Sequence, residues 1–174
     1  MSGKKANIEK LAGMILTLFH SLAQLEAQEK ALLESAIEAT GDRELTALDL
    51  SLAECGIIAQ IQCNEELNTT GLAQNTGMTK GGVSKLTARM AAKKLLSPVR
   101  LPDNQKEVRY KLTPLGEELA ALYAQLKRRE EKRLAKLFSG YGNKRVAAGL
   151  EMAGDLMNFV NRGGKDGRSK NEKR

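Results

Sequence analysis

Between Asn68 and Leu112 the sequence changes its periodicity repeatedly over a short stretch, and this order of signals restricts the fold more than any other feature. Asn68 is a good N-cap for a short helix containing Leu72 and Ala73, and Asn75-Thr76-Gly77 supplies a turn in which the glycine can take positive φ. Thr79 can cap a further helix, from about Lys80 to Leu95, with Val83, Leu86 and Met90 on its inner side. Lys80, Ser84, Lys85, Thr87, Arg89 and Lys93 are then available elsewhere on that helix. A hairpin pattern follows: Pro98 to Leu101, a turn through Pro102, Asp103 and Asn104, then Val108, Tyr110 and Leu112 alternating with Glu107, Arg109 and Lys111. Short helix, three-residue turn, basic helix and hairpin predict a helix-turn-helix with a wing.

The flanks read as long helices. Ile8, Leu11, Ile15, Leu18, Leu22 and Leu25 recur at spacings of three and four, and Leu32, Leu33 and Ile37 extend the seam to about Thr40, where Gly41 and Asp42 end it. A helix this long with one apolar stripe needs another helix to cover it, from its own chain or from a partner. Thr46 can cap a second helix to about Gln62, with Leu48, Leu52, Cys55, Ile58 and Ile61 as candidate buried positions. After the hairpin, Thr113-Pro114 reads as an N-cap and first helical residue, and Leu115, Leu119, Leu122, Leu126, Leu134 and Leu137 carry a stripe to about Phe138. Ser139 to Gly142 interrupt it before a last helix from about Asn143 to Val160. Only 3% of residues are aromatic, so the core is expected to be aliphatic, which favours helices over a sandwich.

The net charge of +7 is unevenly distributed. Residues 1–67 carry 5 basic and 11 acidic side chains, whereas residues 68–112 carry 9 basic and 2 acidic. The predicted helix-turn-helix is therefore the basic segment, the electrostatic footprint of a phosphate-binding surface, although basic segments also occur without a nucleic-acid partner. The tail from Arg162 lacks apolar residues and is expected to be disordered.

Other chemistries find little support. One histidine, His20, accompanies no Gly-rich phosphate loop, nucleophile elbow or zinc-spaced ligand set, so neither an enzyme nor a metal or other cofactor is expected. Cys55 and Cys63 fall on one helix about 12 Å apart by helical rise, too far for a bridge within the chain. Reduced thiols on a core helix are the simplest reading, with thiol sensing as the alternative. No apolar run reaches the roughly 18 to 20 residues of a membrane span and the N-terminus lacks a signal-peptide pattern, so a cytoplasmic protein is expected.

Several stretches, in order and at this spacing, resemble the MarR family of bacterial transcription regulators: Leu45-Thr46, Leu72-Ala73, Gly77-Met78-Thr79-Lys80, Val83-Ser84 and Leu112-Thr113-Pro114-Leu115-Gly116. The resemblance is specific over about residues 45–120 and extends to the flanking helices by layout. Together with the pattern above it gives a mostly α fold with a small β-hairpin wing, divided into an N-terminal helix (1–44), a winged helix-turn-helix DNA-binding region (45–112), C-terminal helices (113–161) and a basic tail (162–174), the resemblance implying that the flanking helices dimerise. It implies a homodimer on double-stranded DNA, each recognition helix in a major groove and each wing tip in the adjoining minor groove, with a small-molecule effector in a cleft between the two regions in some members. Most such regulators repress. Three departures stand out: the family's serine-threonine pair is Gly81-Gly82, its Asp-x-Arg wing tip is Asn104-Gln105-Lys106, and its glycine after the recognition helix is matched by Leu95.

The DNA-contacting set expected on these grounds is Thr79, Lys80, Gly81, Gly82, Ser84, Lys85, Arg89, Arg100, Lys106 and Arg109. Ser84, Lys85 and Arg89 are the candidates for base edges or flanking phosphates. Gly81 and Gly82 either let backbone N–H groups approach a phosphate or are a tolerated weakness in the helix. Lys106 is assigned to the minor groove or a phosphate, while Arg100, Arg109 and Lys111 suit phosphate positioning more than sequence reading. A sequence-tolerant architectural DNA binder and a winged-helix protein-interaction module are the rival functions.

Overall fold

The computed structural model of the chain describes residues 2–101 and 104–161. Its elements run α1 (Ser2–Thr40), α2 (Arg43–Thr46), α3 (Leu52–Cys63), α4 (Thr69–Thr76), α5 (Lys80–Ala92), β1 (Leu96–Leu101), β2 (Asn104–Leu112), α6 (Pro114–Phe138) and α7 (Asn143–Asn161). The mostly helical architecture with one hairpin is as expected. The chain divides into two compact units between Leu126 and Lys127. The expected basic tail lies outside the described residues.

In the first unit the core gathers Leu33 and Ile37 from α1, Leu45 from α2, Ile57, Ile58 and Ile61 from α3, Leu72 from α4, Val83 and Met90 from α5, and Leu119 from the start of α6. Each fully buried aliphatic side chain of this kind stabilises by about 1.5–3 kcal/mol. The earlier part of α1 is different: Ile8, Leu11, Leu18, Leu22 and Leu25 are exposed. The seam read from the sequence is present on the helix, but only its last turns are covered.

The helix entering the core does not start where the sequence analysis places it. Thr46 is the last residue of the single-turn α2, and α3 begins after Ser51, whose side chain accepts from the Glu54 N–H while the Glu54 carboxylate accepts from the Ser51 N–H. Ser51-Leu52-Ala53-Glu54 is thus a reciprocal capping box, and it outcompetes the isolated Thr46 because it satisfies two orphan amide donors. Leu50-Ser51 takes the helix-opening role assigned above to Leu45-Thr46.

The other boundaries follow their caps. Asn68 accepts from Gly71 N–H and Thr79 from Gly82 N–H, and Gly77 closes α4 with φ +68°. The recognition helix is shorter than expected: α5 ends at Ala92, the Lys94 N–H bonds to the Ala91 carbonyl and the Leu95 N–H to the Met90 carbonyl. This is the Schellman pattern, and its left-handed residue is Lys94 at φ +58° rather than Leu95, which is fully buried beneath it. The missing glycine therefore corresponds to Lys94, one position earlier than the sequence analysis puts it.

Strands β1 and β2 pair antiparallel with Leu96 opposite Leu112, Pro98 opposite Tyr110 and Arg100 opposite Val108. Thr113 caps α6, accepting from Gly116 N–H at 3.1 Å, with Pro114 in the first turn. Gly116 sits against the end of the recognition helix: a Cβ there would fall 1.9 Å from the Leu95 carbonyl oxygen.

In the second unit, Phe138 and Tyr141 lie with ring centroids 6.0 Å apart, and the Arg145 guanidinium stands 5.6 Å over the Tyr141 ring. Along α7, Val146, Leu150, Met157 and Val160 are exposed.

Candidate nucleic-acid interface

The recognition helix turns Val83, Thr87 and Met90 inward, a spacing that leaves Lys80, Gly81, Ser84, Lys85 and Ala88 on the surface. Thr79 stands at its N-terminus, also exposed, with its hydroxyl committed to the Gly82 N–H at 3.1 Å. Nothing lies within 4 Å of where a Gly81 Cβ would be, so that part of the helix is open backbone. Gly82 is partly covered by its neighbours Thr79 and Met78.

Between α5 and the hairpin runs a groove of about 530 Å³, walled by Ser84, Thr87 and Ala88 on one side and by Pro98, Arg100, Val108 and Tyr110 on the other. Arg100 is exposed at this groove, opposite the face that carries Ser84. Ser84 and Arg100 line this groove together, and Thr79, Lys80, Gly81 and Lys85 are each exposed along α5 or at its N-terminus. Lys106 belongs to β2, and its side chain lies outside the described residues.

Two arginines of the expected set are paired with carboxylates of other elements or neighbours among the described residues. Arg109 is three-quarters covered and faces Glu66 at 3.5 Å and Glu107 at 3.7 Å. Arg89 Nε donates to Glu54 Oε1 at 2.9 Å, and its Nη2 donates to Ser51 Oγ at 3.3 Å. Lys93 joins the same carboxylate at 2.9 Å and also bonds the Asp49 carbonyl. Glu54 is completely buried, which by itself raises a carboxyl pKa, but hydrogen bonds from Ser51, Lys93 and Arg89 outweigh burial and hold it below the ordinary value.

The wing is fixed to the helices by groups the sequence reading did not single out. Tyr110, a β2 residue facing inward, places its hydroxyl 3.0 Å from Thr69 Oγ1 and 3.2 Å from Thr87 Oγ1. Asn68 caps α4 with one side-chain atom and donates with the other to Glu107 Oε1 at 2.8 Å. Alternation puts Tyr110 on one face of β2 with Val108 and Leu112, but its pairing with hydroxyls on two helices is a tertiary fact. Ser51 and Glu54 were legible in principle, through the capping-box spacing.

Of the two thiols, Cys55 is buried and Cys63 exposed. Burial foremost, then Glu54 and Glu29, pushes the Cys55 thiol up to about 12. Burial and the Glu29 hydrogen bond at 2.9 Å likewise raise the Tyr123 phenol. Among the described residues no helix is long and apolar enough to cross a membrane.

No family model matches the chain. It is 26% identical over 80% of both chains to the uncharacterised HTH-type transcriptional regulator YhjH of Bacillus subtilis. Among solved structures, FabT of Streptococcus pneumoniae, solved in complex with DNA, superposes with a TM-score of 0.64 at 18% identity, covering 88% of this chain and 96% of FabT. The MarR-family transcription regulator SP03579 superposes with a TM-score of 0.60 at 16% identity, covering 92% of this chain and 99% of that one. YhjH and SP03579 are both described as transcription regulators. The chain is a winged helix-turn-helix protein with the fold of the MarR-family transcription regulators.

Proposed function

We propose that the protein is a dimeric, sequence-specific DNA-binding transcription regulator, acting in the cytoplasm as a repressor at a pseudo-palindromic promoter site. The observation that carries this reading is the exposed face of α5, with Lys80, Ser84 and Lys85 beside a groove whose far wall holds Arg100. A polar, cationic helix face beside a docked wing is suited to a major groove and the phosphates that flank it. Gly81 belongs to the same approach, since open backbone at a helix N-terminus admits a phosphate closely, and Thr79 and Gly82 shape that end through the cap bond between them. Lys106 is assigned to the wing's minor-groove or phosphate contact, and Arg109 to holding the wing. By analogy with the resembled family, a small effector binds between the dimerisation and DNA-binding regions and releases the complex.

The dimer is supported by the seam of α1, where Ile8, Leu11, Leu18, Leu22 and Leu25 stay exposed among the described residues. A second copy supplies a matching stripe, and two-fold symmetry then matches an inverted repeat. Sedimentation of the chain alone and with duplex DNA tests this. The expected result is a dimer that binds duplex as a dimer; a monomer with no duplex affinity contradicts the proposal.

One observation favours the architectural alternative. At Gly81 and Gly82 the helix lacks side chains that can distinguish bases, so equal affinity for all duplexes with steep salt dependence would select that reading.

A further inference from the structure

Glu54 stands in the first turn of α3 with both carboxylate oxygens occupied. The Ser51 N–H and hydroxyl donate to Oε2 at 2.8 and 3.0 Å, Lys93 Nζ lies 2.9 and 3.1 Å from the two oxygens, and Arg89 donates to Oε1. Removing a carboxylate from water costs several kcal/mol unless it is compensated in this way, so the cluster is over-determined. Taking away the carboxylate would leave two cations of the recognition helix unattached to it.

Those cations differ. Lys93 is mostly covered and keeps the Asp49 carbonyl. Arg89 is half exposed and follows Lys85 by four residues, so it leaves the helix from the face that carries Lys85. Released from the carboxylate, its guanidinium keeps the 3.3 Å bond to Ser51 Oγ and has the length and the donors to reach a phosphate or a guanine edge.

Resting on the DNA-binding reading above, we propose that Glu54 is a positioning and specificity-determining residue: it ties Arg89 back against α3, so that the α5 surface meets DNA through Lys80, Ser84 and Lys85. A free arginine on that face adds a phosphate contact that every duplex offers, which raises non-specific affinity and dilutes discrimination. The same tie fixes α5 against the capped start of α3.

The test is the salt dependence of binding to a random-sequence duplex by the full chain, Glu54→Gln and Arg89→Gln, with Glu151→Gln on exposed α7 as a charge-matched control. Relative to that control, Glu54→Gln is expected to steepen the slope of log K against log salt by about 0.9, the increment for one added phosphate contact. Its preference for a selected duplex over the random one should fall. Arg89→Gln should keep the parental slope. A slope that becomes shallower by about the same increment in Arg89→Gln overturns the proposal, because Arg89 would then already touch a phosphate. An unchanged slope in Glu54→Gln also overturns it. Should Glu54→Gln fail to fold, the half-exposed Arg89→Gln decides alone. Should the parent bind no duplex, the regulator reading fails, and elution from heparin decides the present inference: Glu54→Gln eluting at higher salt than Glu151→Gln supports it, and co-elution overturns it.

Discussion

The Tyr110 hydroxyl lies 3.2 Å from Thr87 Oγ1, tying the second strand of the wing to the inner face of the recognition helix. Since the same hydroxyl reaches Thr69 of α4, one phenol joins three elements of the winged helix-turn-helix. Replacing Tyr110 with Phe keeps the buried ring and removes only these bonds. The expected cost is about 0.5–1.5 kcal/mol in denaturant unfolding, with a loss of duplex affinity as the wing loosens. Unaltered stability and affinity would show the hydroxyl to be idle.

Gly116 admits no side chain. A methyl group there would lie 1.9 Å from the Leu95 carbonyl oxygen, which is backbone and also accepts the Thr113 N–H. Relief requires moving the start of α6 off the end of the recognition helix. Gly116→Ala is expected to cost more than about 3 kcal/mol, beyond ordinary overpacking, read as a large drop in Tm.

Lys94 is the opposite case. It holds a left-handed conformation, φ +58°, that costs a non-glycine residue roughly 1–2 kcal/mol, and its side chain is exposed. Lys94→Gly should stabilise the protein by about 0.5–1 kcal/mol net of glycine's greater unfolded-state entropy, measured as a higher denaturation midpoint. A lower midpoint would mean that the lysine side chain contributes more than its strain removes.

The Glu54 cluster makes stability depend on acidity. Because the folded-state pKa is depressed, the contribution is complete above the ordinary glutamate value of about 4.3 and is lost as pH falls through the lower folded value. The stability gap between the parent and Glu54→Gln should therefore be constant around neutrality and shrink in the acid range. Thermal unfolding of both proteins across that range provides the check.

The cysteines should separate by accessibility. With Cys63 exposed and the Cys55 thiol buried and pushed up to about 12, a thiol reagent at neutral pH should titrate Cys63 in the native chain and Cys55 only after unfolding. Rapid native labelling of Cys55 would instead revive a thiol-sensing role.

What the sequence disclosed and what it hid have physical causes. Asn68, Gly77, Thr79 and Thr113 were legible because caps and left-handed turns are local, decided by residues three or four apart. The start of α3 was misplaced because Thr46 is a plausible cap in isolation, while the capping box at Ser51 wins by satisfying more donors. Arg89 looked like a free cation because its partner, Glu54, lies 35 residues earlier, and no helical periodicity encodes that pairing. Alternation groups Tyr110 with Val108 and Leu112 on one face of the strand, yet its bonds to Thr69 and Thr87 depend on how the hairpin packs.

The central claim, a dimer that reads a particular sequence through α5 and the wing, is tested most directly by selecting bound duplexes from a random pool at near-physiological salt and sequencing them. The account predicts an enriched inverted repeat with half-sites about ten base pairs apart. Salt-sensitive binding with no enriched sequence would contradict it and leave a protein that holds DNA without reading it.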